Sequence, residues 1–170
     1  MPKFIISYVK WIDKTNRFVG RIAMYMVLAM IGILLYATLS RGVFNIPVIW
    51  AVELAQFTMA AYYLLGGGYS LQNKAHVRMD VFYERWSIKT RAKVDVVTSI
   101  FLLFYMLVLL YGSYGSTEYA IEYDQHNYSS WGPPMAPIKV IMTTGIFLML
   151  LQVIATFFKD LATARGEDIS

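Results

Sequence analysis

Four stretches without a charged side chain govern what this polypeptide can fold into. They run over Ile22–Ser40, Leu54–Asn73, Val96–Thr117 and Val140–Phe158, which is 19, 20, 22 and 19 residues. A bilayer core of about 30 Å takes about 20 helical residues at ~1.5 Å each. Backbone N–H and C=O groups cannot go unpaired in hydrocarbon, so each stretch is expected to be a helix. The apolar pattern of the second reaches back to Pro47, and the spacing predicts spans over about 20–40, 47–70, 94–117 and 137–158. Composition agrees. Of 170 residues, 58% are apolar and 15% charged, against about 45–50% and 25% in a soluble domain. Residues 1–170 show no internal repeat, low-complexity segment or long linker, and read as a single membrane domain. The first span starts too late and is too long for a cleaved signal peptide, and is expected to be an uncleaved anchor. The absence of cysteine excludes a disulfide framework, thiolate-bound metals and thiol catalysis.

Lys and Arg in the connections predict an orientation. Lys3, Lys10, Lys14, Arg17 and Arg21 precede the first span. Lys74, Arg78, Arg85, Lys89, Arg91 and Lys93 lie between the second and third, and Lys159 and Arg165 follow the fourth. The first–second connection has only Arg41, and the third–fourth is acidic at Glu118, Glu122 and Asp124. The positive-inside rule then puts both termini and the middle connection in the cytoplasm. Trp11 and Trp86 fall at the inner interface, and Trp50 and Trp131 at the outer one, as an aromatic belt requires. The net charge of +4 is explained by this flanking, so a lipid bilayer is the expected partner and nucleic acid is not.

Two segments carry amphipathic periodicity outside the spans. Phe4, Ile5, Tyr8, Val9, Trp11 and Ile12 recur at helical spacing, with Lys3, Lys10, Lys14 and Arg17 elsewhere around the helix. That predicts an interfacial amphipathic arm over residues 1–18. Met79, Phe82, Tyr83 and Trp86 repeat the pattern in the middle connection.

Chemistry-bearing residues are few. Glu53 is the carboxylate closest to membrane depth, about six residues after Pro47, and Arg41 ends the first span on the same side. A structural ion pair between them is favoured over an ion or proton site. Asp95, at the cytoplasmic edge of the third span, reads as a cap or an interface residue rather than a transport site. Gly66, Gly67 and Gly68 end the second span, and Glu53, Gln56, Ala60 and Gly67 share a face suited to close helix contact, within the chain or with a partner. His76 and His126 fall in connections on opposite sides and cannot ligate one haem. No metalloprotease, nucleophile-elbow, P-loop or dinucleotide motif is present, and no polar path or repeat marks a transporter midplane. The residues alone describe an all-α, non-enzymatic, four-helix membrane subunit that needs a partner.

One family is matched by ordered short motifs over most of the chain. The runs are Ser40-Arg41-Gly42-Val43-Phe44, then Trp50 and Glu53, then Gly66-Gly67-Gly68-Tyr69-Ser70-Leu71, then His76-Val77-Arg78-Met79-Asp80. In this the sequence resembles the small membrane subunit of tripartite ATP-independent periplasmic (TRAP) transporters, the DctQ-like or Q subunit. His76–Asp80 fit that family's His-hydrophobic-Arg-hydrophobic-Asp pattern throughout. The resemblance implies a large multi-span membrane subunit and a periplasmic substrate-binding protein as partners, in a bacterial inner membrane. It also implies ion-coupled uptake of organic acids, driven by a sodium gradient across the whole complex, with no cofactor in this chain. On that analogy Arg41, Glu53, His76, Arg78 and Asp80 are structural or face the large subunit, and none is catalytic. Glu118–Asp124 is expected to be a solvated loop, with contact to the binding protein or the large subunit as the alternative. Two other readings stand beside this one: a membrane-anchor subunit of a respiratory or other enzyme complex, and an autonomous small transporter or channel.

Overall fold

The computed structural model describes residues 3–73 and 88–165. His76, Arg78 and Asp80, with Met79, Phe82, Tyr83 and Trp86, lie outside them. The described residues form four helices: α1 Lys3–Phe44, α2 Ile49–Gln72, α3 Ile88–Glu122 and α4 Ala136–Arg165. Three of them, α1, α3 and α4, are long and apolar enough to cross a membrane. α2 is not in that set, so the expected span over 47–70 has the length, at 24 residues, but not the apolarity. Glu53, Gln56, three tyrosines and three glycines dilute its hydrocarbon. They do so because α2 is wedged between α1 and α4, where side chains meet protein.

α4 is the hub. It packs against α3 on one side and against α2 and α1 on the other, and α2 also packs along α1. Met106, Leu150 and Val153 form the α3–α4 core, joined by Leu102, Leu103, Leu109 and Leu110, with Leu71 reaching in from α2. Small residues set the close approaches. A Cβ on Gly145 of α4 would stand 2.8 Å from the Leu64 carbonyl oxygen of α2, and one on Gly20 of α1 would stand 2.5 Å from Tyr69 Cβ. Helix association in a membrane depends on such backbone proximity, because lipid tails are as apolar as leucine.

The expected arm over residues 1–18 is not a separate element here. α1 runs unbroken for 42 residues, about 63 Å at ~1.5 Å per residue. Its buried positions Val9, Ile12, Asn16, Gly20 and Ala23 fall at steps of three and four, a single stripe. The apolar set anticipated for the membrane surface therefore divides. Ile5, Tyr8, Val9 and Ile12 pack on Leu151, Ala155 and Phe158 of α4, whereas Phe4 and Trp11 point outward.

The connections are tight. α1 stops at Asn45, in the left-handed region (φ 55°), where asparagine is tolerated. Ser40 holds the turn, accepting from the Ile46 N–H at its carbonyl and donating its hydroxyl to the Ile46 carbonyl, both at 3.2 Å. Pro47 precedes α2, which starts at Ile49, two residues later than a proline in the first turn implies. Glu118 and Glu122 belong to the last turns of α3, so most of the segment expected as a solvated loop is helical. Between α3 and α4 the chain makes a small hairpin. The Asn127 N–H donates to Pro133 O (2.9 Å), the Met135 N–H donates to Gln125 O (2.8 Å), and His126 bridges Pro134. The end of the bundle with the α1 N-terminus and α4 C-terminus is called the terminal end below, and the opposite one the hairpin end.

Candidate functional site

At the terminal end a chain of polar side chains runs from the surface into the α1–α2–α4 interior. Lys159 donates to Asp13 Oδ2 at 2.5 Å, Gln152 Nε2 donates to Asp13 Oδ1 at 2.9 Å, and Asn16 Nδ2 donates to Gln152 Oε1 at 2.7 Å. Its polarity follows from its outer end. An ionised carboxylate only accepts, so Gln152 must turn its NH₂ to Asp13 and its carbonyl to Asn16. Asn16 then spends its own NH₂ on Gln152, and its Oδ1 is left inside with no hydrogen-bond partner. That oxygen abuts Gly68 of α2, where a Cβ would stand 2.5 Å from it. Gln152 and Asn16 are fully buried, while Asp13 and Lys159 are 19% and 26% exposed. The ends of α1 and α4 are thus pinned by a charge pair at the rim and an amide pair within. Nearby, the Tyr8 hydroxyl donates to the Leu151 carbonyl (3.2 Å).

Sequence reasoning missed these residues. Asp13 sits among five cations, and Gln152 sits in an otherwise apolar span. The available signal was that Asp13 and Asn16 fall on the stripe of Val9, Ile12 and Gly20, where a solvated face has no reason to place them.

The hairpin end holds the residues that were expected to matter. Glu53 is buried, with Oε2 unpartnered. Arg41 is exposed and lines an open groove of ≈ 660 Å³ with Leu34, Thr38, Pro47 and Val52. No ion pair joins the two, which corrects the expectation. The reason is rotation. Glu53 lies 14 residues before Gly67, so both share one side of α2, and Gly67 faces Met149 of α4. Arg41 sits on α1, around a different side of α2. Gly67 itself is buried, so its close contact is inside the chain.

The α3–α4 seam at this end is polar. Thr117 Oγ1 and Thr143 Oγ1 are 2.8 Å apart, and Thr143 also donates to Ser113 O (3.2 Å). Lys139 Nζ donates to Gln125 Oε1 (2.6 Å) and Ser116 O (3.2 Å), tying α4 to the hairpin. Beyond this anchor, Tyr128 and Trp131 are exposed. Among the described residues, no group of three or more His, Asp or Glu side chains is placed to hold a metal ion.

Away from these clusters the surface is hydrocarbon. The second half of α1, from Met24 to Phe44, exposes Leu28, Leu35, Leu39 and Phe44, and α3 exposes Phe101, Phe104, Tyr111 and Tyr114, with Tyr111 at 84%. Polar groups turned inward and apolar ones outward, on helices of bilayer length, define a multi-pass membrane protein. Residues 13–163 match the family model described as tripartite ATP-independent periplasmic transporters, DctQ component. The chain belongs to that family. It is also 29% identical, over 107 residues, to the sialic acid TRAP transporter permease protein SiaT of Haemophilus influenzae (strain 86-028NP), a match covering 63% of this chain and 17% of that protein.

Proposed function

We propose that this chain is the small membrane subunit of a TRAP transporter, scaffolding the large transport subunit and carrying no substrate itself. The observation behind the reading is a family match that spans the bundle, joined to two polar clusters, Asn16–Gln152–Asp13 and Thr117–Thr143, that pair across helices rather than line a path. On this reading α2 spans the membrane with the other three helices, and its polar groups are covered by α1 and α4. Both termini lie in the cytoplasm, and the membrane is the bacterial inner membrane. The hairpin then faces the periplasm, where Tyr128 and Trp131 are available to the substrate-binding protein. Arg41, Glu53, His76, Arg78 and Asp80 act structurally or against the large subunit. The complex takes up organic acids on a sodium gradient, and the chain itself needs no cofactor and catalyses no reaction.

The test is reconstitution. Vesicles with both membrane subunits, supplied with binding protein and a sodium gradient, are expected to accumulate substrate. Vesicles with the large subunit alone are expected to lose uptake. Undiminished uptake without this chain refutes the scaffold role, and so does solute flux through vesicles that contain only this chain. Bound haem or quinone in the purified protein points instead to an enzyme anchor.

A further inference from the structure

α1 separates its side chains into three lengthwise faces before it reaches the charge-free stretch at Ile22. One is the packed stripe of Val9, Ile12, Asn16 and Gly20. The second is basic: Lys3, Lys10, Lys14, Arg17 and Arg21, at steps of seven, four, three and four residues, which keeps all five on one side of a 3.6-residue helix. All five are exposed. The single acid in the segment, Asp13, is turned away to Lys159 and Gln152. The third face, a quarter turn from the basic one, carries Phe4, Trp11 and Phe18 at seven-residue steps, and these are 81%, 63% and 65% exposed.

We propose that this face of α1 is a binding surface for acidic phospholipid headgroups. Lys14, Arg17 and Arg21 engage the lipid phosphates, while Phe18, about 5 Å out from Arg21 along the helix, seats at the boundary between headgroups and acyl chains and Trp11 lies further out, beyond Lys14. Charge complementarity favours the lipid, with five cations and no free carboxylate on the stripe. Position favours it too. Arg21 is the last residue before hydrocarbon, Arg17 and Lys14 lie about 6 and 10 Å further out, and Lys3 about 27 Å out. The attraction of a basic segment to an anionic leaflet fades within a Debye length, about 8–10 Å, so the effect is graded along the stripe. A nucleic acid on these cations leaves the neighbouring aromatic face in water. An acidic bilayer covers the inner cations and Phe18 together. The inference needs only that the chain sits in a membrane, and it stands or falls apart from the transporter reading.

The test uses the full chain, purified in mixed micelles that hold equal phosphatidylglycerol and phosphatidylcholine of the same acyl chains, with retained lipids counted by native mass spectrometry. The wild type is expected to retain phosphatidylglycerol preferentially. Each of Lys14→Gln, Arg17→Gln and Arg21→Gln is expected to weaken that preference, by up to about fivefold per cation. Arg17→Lys should keep it, and Lys3→Gln should change it least. Helicity by circular dichroism reports whether each variant is folded. If the variant combining Lys14→Gln, Arg17→Gln and Arg21→Gln does not fold, the wild type decides alone, because its preference must fall as KCl rises from about 0.05 to 0.5 M. Equal retention of the two lipids by the wild type overturns the proposal. So does a preference insensitive to salt or to the combined variant. Displacement of the lipid by a few millimolar inorganic phosphate marks a free-anion site and also overturns it.

Discussion

The interior and the flanks of this bundle use the same residue for opposite ends. Where α1, α2 and α4 meet, Gly20, Gly67, Gly68 and Gly145 each have a neighbour within 3 Å of where a Cβ would stand. On the flanks, along the second half of α1 and on α3, Gly32, Gly42, Gly112 and Gly115 have nothing within 4 Å. The interior glycines are contacts already made. The flank glycines are small residues on an open apolar surface, where the fold of this chain alone gives them no work. The molecule thus divides into a closed centre that holds itself together and edges available to lipid or to another helix.

The sharpest way to break that division is to fill both kinds of position. Gly145→Leu is expected to destabilise the protein most, by about 3 kcal/mol or more, because the obstacle is the Leu64 backbone and not a movable side chain. Gly112→Leu is expected to stay within about 0.5 kcal/mol. Thermal unfolding in detergent compares them, and equal melting temperatures would erase the distinction.

The polar chain gives the next effect. Asp13→Ala strands Lys159 and the Gln152 amide together, at a cost of about 1–3 kcal/mol. A double-mutant cycle with Lys159→Ala should show coupling above ~0.5 kcal/mol, and zero coupling removes the charge pair from the account. Gly68→Ala should cost less, about 1 kcal/mol, since the obstructing atom is a side-chain oxygen. In an Asn16→Ala background, which lacks that oxygen, the Gly68→Ala penalty should largely vanish, and its persistence points to another clash. The smallest expected effect is the coupling of Arg41→Ala with Glu53→Ala. The two should be additive within about 0.5 kcal/mol, and strong coupling in the unfolding free energies would restore the ion pair that the geometry denies.

Sequence alone yields the helices more readily than their partners. The charge-free runs locate α1, α3 and α4 because hydrocarbon thickness acts on each segment separately, and a window of twenty residues contains the whole signal. α2 is the harder case. Its Glu53, Gln56 and tyrosines are compatible with a buried helix only if its neighbours are known. The arm is a related case: the structure makes it the first turns of α1 rather than a separate element. Periodicity shows that residues 4 to 12 are amphipathic, but a helix surface that meets α4 and one that meets lipid are written in the same side chains. Pairings across long separations are the least legible. Asp13 and Lys159 are 146 positions apart, and nothing local selects that match over the nearer Lys10 or Arg17. The Arg41–Glu53 pair looked natural because both lie near one turn, yet a turn sets distance along the chain and not the rotation of the helix that follows it. Gly67 was legible as a contact, and its partner Met149 was not.

The unbroken course of α1 has a mechanical corollary. A rod with no elbow cannot lean at its head while its foot stays upright. A load on Phe44 at one extreme is therefore expected to reach Asn16, which Gln152 holds and Gly68 abuts.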